Sequence, residues 1–207
     1  MSEWVQLLQL AVPVALAALF LRELADGTGH RLFEMSRELV RRAQIDGMTG
    51  LLNRSTWEAQ AIAQLEYAQK AGRPATLLLL DLDEFKVIND THRHAAGDAA
   101  LVAFAQTLSS MAGPRDIVGR LGGDEFVILL PEKDFVSGMR MRDAILAGLR
   151  DSGNGMIASI GIVITEPGET LEHLMIRADR HMFQQKHRSR AAAGQTTGER
   201  VAMSAQA

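Results

Sequence analysis

The 207-residue chain is 47% hydrophobic and 23% charged, with a net charge of −3. That apolar content suffices for one packed domain with an appendage and excludes a disordered chain, while the lack of a global basic field makes nucleic acid an unexpected partner. With no cysteine, disulfides and thiolate metal sites are excluded, any metal must be held by oxygen or imidazole, and a reducing cytoplasm is the fitting compartment.

From Val5 to Leu21 the text "VQLLQLAVPVALAALFL" is apolar on every helical face, interrupted only by Gln6, Gln9 and Pro13. Its length approaches the roughly 20 residues a membrane span needs. Residues 1–24 are therefore expected to form a hydrophobic helix that anchors the chain. A cleaved signal peptide fits less well, because Glu3 stands where a positive segment should. Arg22, Arg31, Arg37, Arg41 and Arg42 all follow the run, which would place the remainder on the cytoplasmic side of the inner membrane. Residues 25–45 read as a linker helix, with Leu32, Met35 and Leu39 at the spacing of a coiled-coil seam. An amphipathic helix lying on its own domain fits that stripe equally.

From Asp46 the pattern alternates. A helix is expected over 56–70, ended by Gly72 and Pro74, then a buried strand over 76–82 ("TLLLLDL") and a second helix over 95–111. Strands follow at 117–121 and 125–130, a helix at about 134–149, a strand at 156–165 and a last helix from 171 to about 188. The tail, 191–207, is small and polar and reads as disordered. The order suits an α+β fold with a ferredoxin-like βαββαβ core and added helices, in which the first core strand lies beside the third and antiparallel to it.

That topology gives meaning to "RLGGDEF", residues 120–126. Antiparallel pairing of "LLLLDLDEF" with "GGDEF" brings Asp81, Asp124 and Glu125 to one end of the sheet. Clustered carboxylates repel and demand a cation, and an all-oxygen set completed by water and substrate phosphate is what Mg²⁺ accepts, with Mn²⁺ the second choice. Gly122 and Gly123 supply a tight turn and leave room for a bulky ligand. A plain Gly-Gly hairpin with solvated acids is the bland alternative.

The wording of several segments is more specific than this chemistry. "DGMTGLLNR" (46–54), "DLDEFKVIND" (81–90), "HAAGD" (94–98), "RLGGDEF" (120–126) and "ADRHMFQQKHRSR" (178–190) occur in the order and spacing of the GGDEF family, the diguanylate cyclases, which the chain resembles over 46–190. The resemblance implies condensation of two GTP molecules into cyclic di-GMP by metal-dependent phosphoryl transfer across a homodimer. It implies that Asp81, Asp124 and the backbone carbonyl of Leu82 hold the metal. Asp124 or Glu125 would assist deprotonation of the attacking 3′-hydroxyl, the resemblance favouring Asp124. Asn89 and Asp98, with His94 in the same segment, would read guanine. Backbone N–H groups around Glu84 and Phe85 suit a phosphate, Lys86 would offset charge on the phosphoryl oxygens, and Lys186 and Arg190 would grip the triphosphate.

The chain departs from the family pattern in places. Arg93 stands where members usually have glycine, Phe183 where they have tyrosine, and the closing block keeps Arg190. Many members carry an Arg-x-x-Asp pair before GGDEF that grips product and inhibits the enzyme. Here Gly113 replaces that arginine and Asp116 is retained, with Arg115 displaced by two residues, so weak or absent product inhibition is expected. A GTP-binding module that regulates a partner, or a membrane scaffold with a vestigial pocket, is the alternative reading. The effector that would read the product is not specified by any segment of the chain.

Overall fold

The computed structural model describes residues 44–204, apart from 84, 86, 88, 89, 91–93, 153 and 154, and the backbone alone of 94 and 188–204. Its frame is the apolar run "ATLLLLDL", which forms strand β2 (Ala75–Leu82) and is buried along almost its whole length. A strand apolar at every position must be covered on both faces and paired on both edges. Such a strand belongs in the interior of a sheet, and β2 is paired there between β4 (Glu125–Pro131) and β5 (Ala158–Ile164). With β1 (Leu52–Asn53) and β3 (Ile117–Gly122) they form a five-stranded sheet in the order β1-β3-β4-β2-β5. The β2–β4 pair, first core strand beside third, is antiparallel as expected.

Because side chains alternate across a strand, β2 feeds two cores. Leu78, Leu80 and Leu82 pack with Phe126 and Ile128 beneath helices α2 (His94–Met111) and α3 (Phe135–Asp151), through Leu101, Phe104, Leu108, Ile145 and Leu149. Leu77 and Leu79 pack on the other face with Val127 and Leu129 beneath α1 (Arg54–Lys70) and α4 (Leu171–Ser204), through Trp57, Leu65, Leu174, Ala178 and Met182. The α1 start is fixed by Asn53, whose side chain accepts from the Thr56 N–H at 3.0 Å, and the α3 start by Asp134, which accepts from the Ser137 N–H at 2.9 Å.

Several boundaries differ from expectation. Helix α1 begins two residues early because Asn53 caps it. Strand β1 and the bridge between Ile45 and Leu52 were not anticipated, since two residues carry no periodic signal. The last helix continues to Ser204, through the stretch whose composition reads as a disordered tail. The expected inner-membrane localisation is corrected: no helix among the described residues is long and apolar enough to cross a membrane. The run that suggested a span is at the short end of the permitted length and carries Gln6, Gln9 and Pro13. It lies in residues 1–43, outside those described, as does the linker helix expected over 25–45 except for its last two residues.

Gly161 sets how closely α4 approaches the sheet. A Cβ built there would meet the backbone carbonyl oxygen of Ala178, which cannot swing aside, and would lie 2.7 Å from the Met182 backbone nitrogen. Gly161→Ala must therefore push α4 off β5. It is expected to destabilise the fold by about 1–3 kcal/mol, read as a lowered urea midpoint with an unchanged denaturant slope.

Candidate active site

The turn between β3 and β4 carries the acids. Gly122 pairs with Glu125, leaving Gly123 and Asp124 as a two-residue connection. Gly122 (φ 144°) and Gly123 (φ 54°) both hold positive φ, which a side chain would strain. A Cβ at either would meet nothing within 4 Å, so the turn faces open space that a ligand can enter.

Register then delivers the convergence. Asp81 is the Cα partner of Glu125, and the Leu82 N–H donates to the Asp124 carbonyl at 3.3 Å. On its other edge Asp81 is opposite Ser159 of β5. Strand β2 thus stops being apolar at the point where it meets the acidic turn.

A cation lies on this end of the sheet. The Lys186 ammonium donates to Asp81 Oδ1 at 2.5 Å and stands 3.6 Å from Asp83 Oδ1. Asp83 is also held by the Ser159 hydroxyl, which is 2.9 Å from each of its oxygens. The reach of Lys186 follows from packing: Met182 is seated on Gly161, and Lys186 follows one helical turn later, beyond Ser159. Burial pushes the Asp81 carboxyl above its ordinary value, and the neighbouring Asp124 and Asp83 charges push the same way against the hydrogen bond from Lys186. Burial alone would lower the Lys186 ammonium, but the hydrogen bond and charge of Asp81, with Asp83 behind it, hold it above its ordinary value.

Two arginines that the sequence reading did not single out hold the turn. Arg54 donates to the Leu121 carbonyl at 2.9 Å, and its guanidinium comes within 3.8 Å of Glu125. Arg120 donates through Nη2 and Nε to the Gly123 carbonyl at 2.7 and 3.1 Å, and through Nη1 to Asp46 at 2.9 Å. Burial alone would raise the Asp46 carboxyl, yet hydrogen bonds from Thr49 and Arg120 outweigh it and hold it below the usual range. The available signal was the position of these arginines beside "GGDEF" and at the end of "DGMTGLLNR". Asp83 and Ser159 gave none, because only pairing brings them beside Lys186.

Among the other expected residues, Phe85 packs against the core, and Asp98 stands exposed near the start of α2. Glu84, Lys86, Asn89 and Arg93 lie outside the described residues, as do the side chains of His94 and Arg190. Among the described residues no three His, Cys, Asp or Glu side chains are gathered so as to hold a metal by themselves. The chemistry of this sheet end still suits a hard cation in part: the Asp81 carboxylate feels the charges of Asp124 and Asp83, and a lysine ammonium already sits on it.

Asp116 has a different setting. Its carboxylate is fully covered, accepts from Lys133 Nζ at 2.7 and 2.9 Å, and accepts from the Gly113 N–H at 2.8 Å. A Cβ at Gly113 would stand 3.2 Å from Asp116 Oδ2, so this clasp favours glycine. Arg115 donates instead to Glu132, at 2.9 Å, beside Arg73 at 2.7 Å.

With this geometry described, comparison with known proteins is decisive. Residues 43–192 match the family model "Diguanylate cyclase, GGDEF domain". The chain belongs to the GGDEF diguanylate cyclase family. It is 41% identical over 156 residues to an uncharacterised 19.3 kDa protein of Streptomyces ambofaciens, covering 72% of this chain and 81% of that one. To the diguanylate cyclase DgcM of Escherichia coli it is 36% identical over 172 residues, covering 78% of this chain but only 41% of DgcM. Among solved structures it resembles the coiled coil and GGDEF domain of DgcB from Caulobacter crescentus in complex with c-di-GMP, with TM-score 0.75 and 27% identity over 81% of this chain and 94% of that one. It also resembles SiaD of Pseudomonas aeruginosa, solved with its activator SiaC, with TM-score 0.67 and 27% identity over 88% of this chain and 74% of that one.

The Lys186 pairing has a pH signature. A lysine whose folded value lies above its unfolded 10.5 contributes stability in full below that pH and loses it as the pH rises through the folded value. Lys186→Met is therefore expected to lower the urea midpoint by a constant amount around neutral pH, with the gap to the natural chain closing once the pH exceeds 10.5.

Proposed function

We propose that this GGDEF domain condenses two GTP molecules into cyclic di-GMP, one GTP held by each of two domains placed face to face. The observation that carries the reading is the register of Asp81 with Glu125, which sets carboxylates at an open Gly-Gly turn with a lysine ammonium on Asp81. In each of two transfers a 3′-oxygen bonds to the α-phosphorus of the facing GTP, the bond from that phosphorus to pyrophosphate breaks, and the hydroxyl proton leaves to a base. A site that holds one GTP is half of this reaction, so a homodimer follows from the chemistry.

Residue roles follow the family match. Asp124, or Glu125 beside it, takes the proton of the 3′-hydroxyl. Asn89 and Asp98, with His94, read the guanine edge, which offers N–H donors to a carboxylate and both donor and acceptor to an amide. Backbone N–H groups at Glu84 and Phe85 bind phosphate, Lys86 offsets charge on the phosphoryl oxygens, and Lys186 with Arg190 grips the triphosphate. A divalent cation, Mg²⁺ or Mn²⁺, held by Asp81, Asp124 and the Leu82 carbonyl would supply charge neutralisation at the reacting phosphate. The open space around Gly122 and Gly123 leaves the turn accessible to a ligand.

The purified chain incubated with GTP and Mg²⁺ is expected to yield cyclic di-GMP, detected by mass. Asp81→Asn and Asp124→Ala should each lower turnover at least about a hundredfold with an unchanged circular dichroism spectrum. Near-normal turnover in either would remove the assigned site, and GTP binding without product would favour the regulatory reading.

Inhibition by product through the Arg-x-x-Asp position should be weak. What supports this is the Asp116 carboxylate, covered and engaged by Lys133 and Gly113, and the Arg115 guanidinium, engaged by Glu132. Initial rates are expected to stay level as cyclic di-GMP is added. Strong inhibition that disappears in Asp116→Asn would show instead that the position still grips product.

A further inference from the structure

Lys186 is drawn to two partners. Its ammonium bonds Asp81 at 2.5 Å and lies 3.6 Å from Asp83, while the proposed reaction asks it to hold phosphate and asks Asp81 to hold a divalent cation. One ammonium cannot occupy both positions, and two cations cannot share one carboxylate edge without repulsion. We propose that Lys186 is the internal counter-ion of Asp81 and changes places with the divalent cation when a polyphosphate draws it away, so that metal and nucleotide enter together rather than metal first. The inference rests on the proposed function for the identity of the two incoming ligands.

Three features of the site support an exchange over a fixed ion pair. The lysine backbone is held firmly, because Met182 one turn earlier is buried against Gly161, yet the side chain is 24% exposed and has a flexible four-carbon stem free to swing outward. A lysine is a point charge that rotates from one anion to another. An arginine fork locked bidentately on Asp81 would have to break two parallel bonds.

The second feature is the scarcity of protein ligands. Among the described residues there is no three-membered cage, and Mg²⁺ bound through one or two carboxylates takes its remaining ligands from water and substrate phosphate. Metal alone would have to displace a bonded ammonium and receive little in return. Metal with phosphate gains ligands while the phosphate accepts the displaced ammonium.

The third is Asp83. It has a hydroxyl partner of its own in Ser159, so Lys186 is not needed to satisfy it, and its charge adds to the pull that keeps the ammonium over the sheet end until a stronger anion arrives. Binding linkage then requires that nucleotide strengthen metal binding by the same factor by which metal strengthens nucleotide binding.

The test uses Mn²⁺ as probe on the full chain, with free Mn²⁺ read by electron paramagnetic resonance and 3′-deoxy-GTP as a nucleotide that lacks the attacking hydroxyl. The natural chain is expected to bind Mn²⁺ at least about tenfold more tightly with 3′-deoxy-GTP than without it. Without nucleotide, Lys186→Met and the polar Lys186→Gln should each bind Mn²⁺ at least about tenfold more tightly than the natural chain, a gain that Asp81→Asn added to Lys186→Gln removes. Two variants of different polarity guard against one that misfolds. Mn²⁺ binding no tighter in either variant, or a gain that survives Asp81→Asn, overturns the exchange. Cyclic di-GMP formation by the natural chain is assayed in parallel. Product without the Mn²⁺ gain removes the exchange and leaves the cyclase, whereas the gain without product removes the cyclase and leaves Lys186 as the counter-ion.

Discussion

The burial of β2 is the constraint on which the rest depends. A strand covered on both faces and paired on both edges has one place where it can afford a charge, its end, and Asp81 stands there. The same burial fixes register, because a one-residue slip against β4 would turn Leu78 and Leu80 toward the wrong core and carry Asp81 away from Glu125. Packing and chemistry are therefore specified by one pairing. The apolar alternation that builds the two cores also decides which carboxylates meet.

Much of this was legible in the sequence. The continuous run at 76–82 and the turn glycines at 122 and 123 sufficed to predict a buried strand and a hairpin, and the βαββαβ order sufficed to predict which strands meet and at which end. The clamps were not legible. Arg120 reaches Asp46 across 74 residues while it holds the Gly123 carbonyl, and nothing in local spacing shows a guanidinium bridging two distant loops. Nor was the pairing of Lys186 with Asp81 read from the residues, since a lysine near the end of a basic helical block has the usual reading of a solvated charge. It takes the close seat of α4 on Gly161 to bring that lysine over the sheet end.

Two acidic positions show how setting decides what a carboxylate can do. Asp116 and Asp81 each have a lysine partner, at 2.7 and 2.5 Å. Asp116 is fully covered and also bonded by a backbone N–H, so its lysine completes a structural clasp between the entry to β3 and the exit of β4. Asp81 remains partly accessible beside an open turn and two further acids, so its lysine neutralises a charge that another cation could also neutralise. The difference lies in access and in the number of competing donors, not in residue type.

The separation of Asp81 from Lys186 by 105 positions has a consequence for how the protein is made. On the ribosome the chain emerges from its amino terminus, and strands β2, β3 and β4 are complete while α4 is still unsynthesised. The nascent sheet can therefore pair β2 with β4 before the ammonium that balances Asp81 exists. The acidic end is electrically closed last, by the helix that also covers the second core, so charge balance and the final burial step arrive together with the carboxyl-terminal segment.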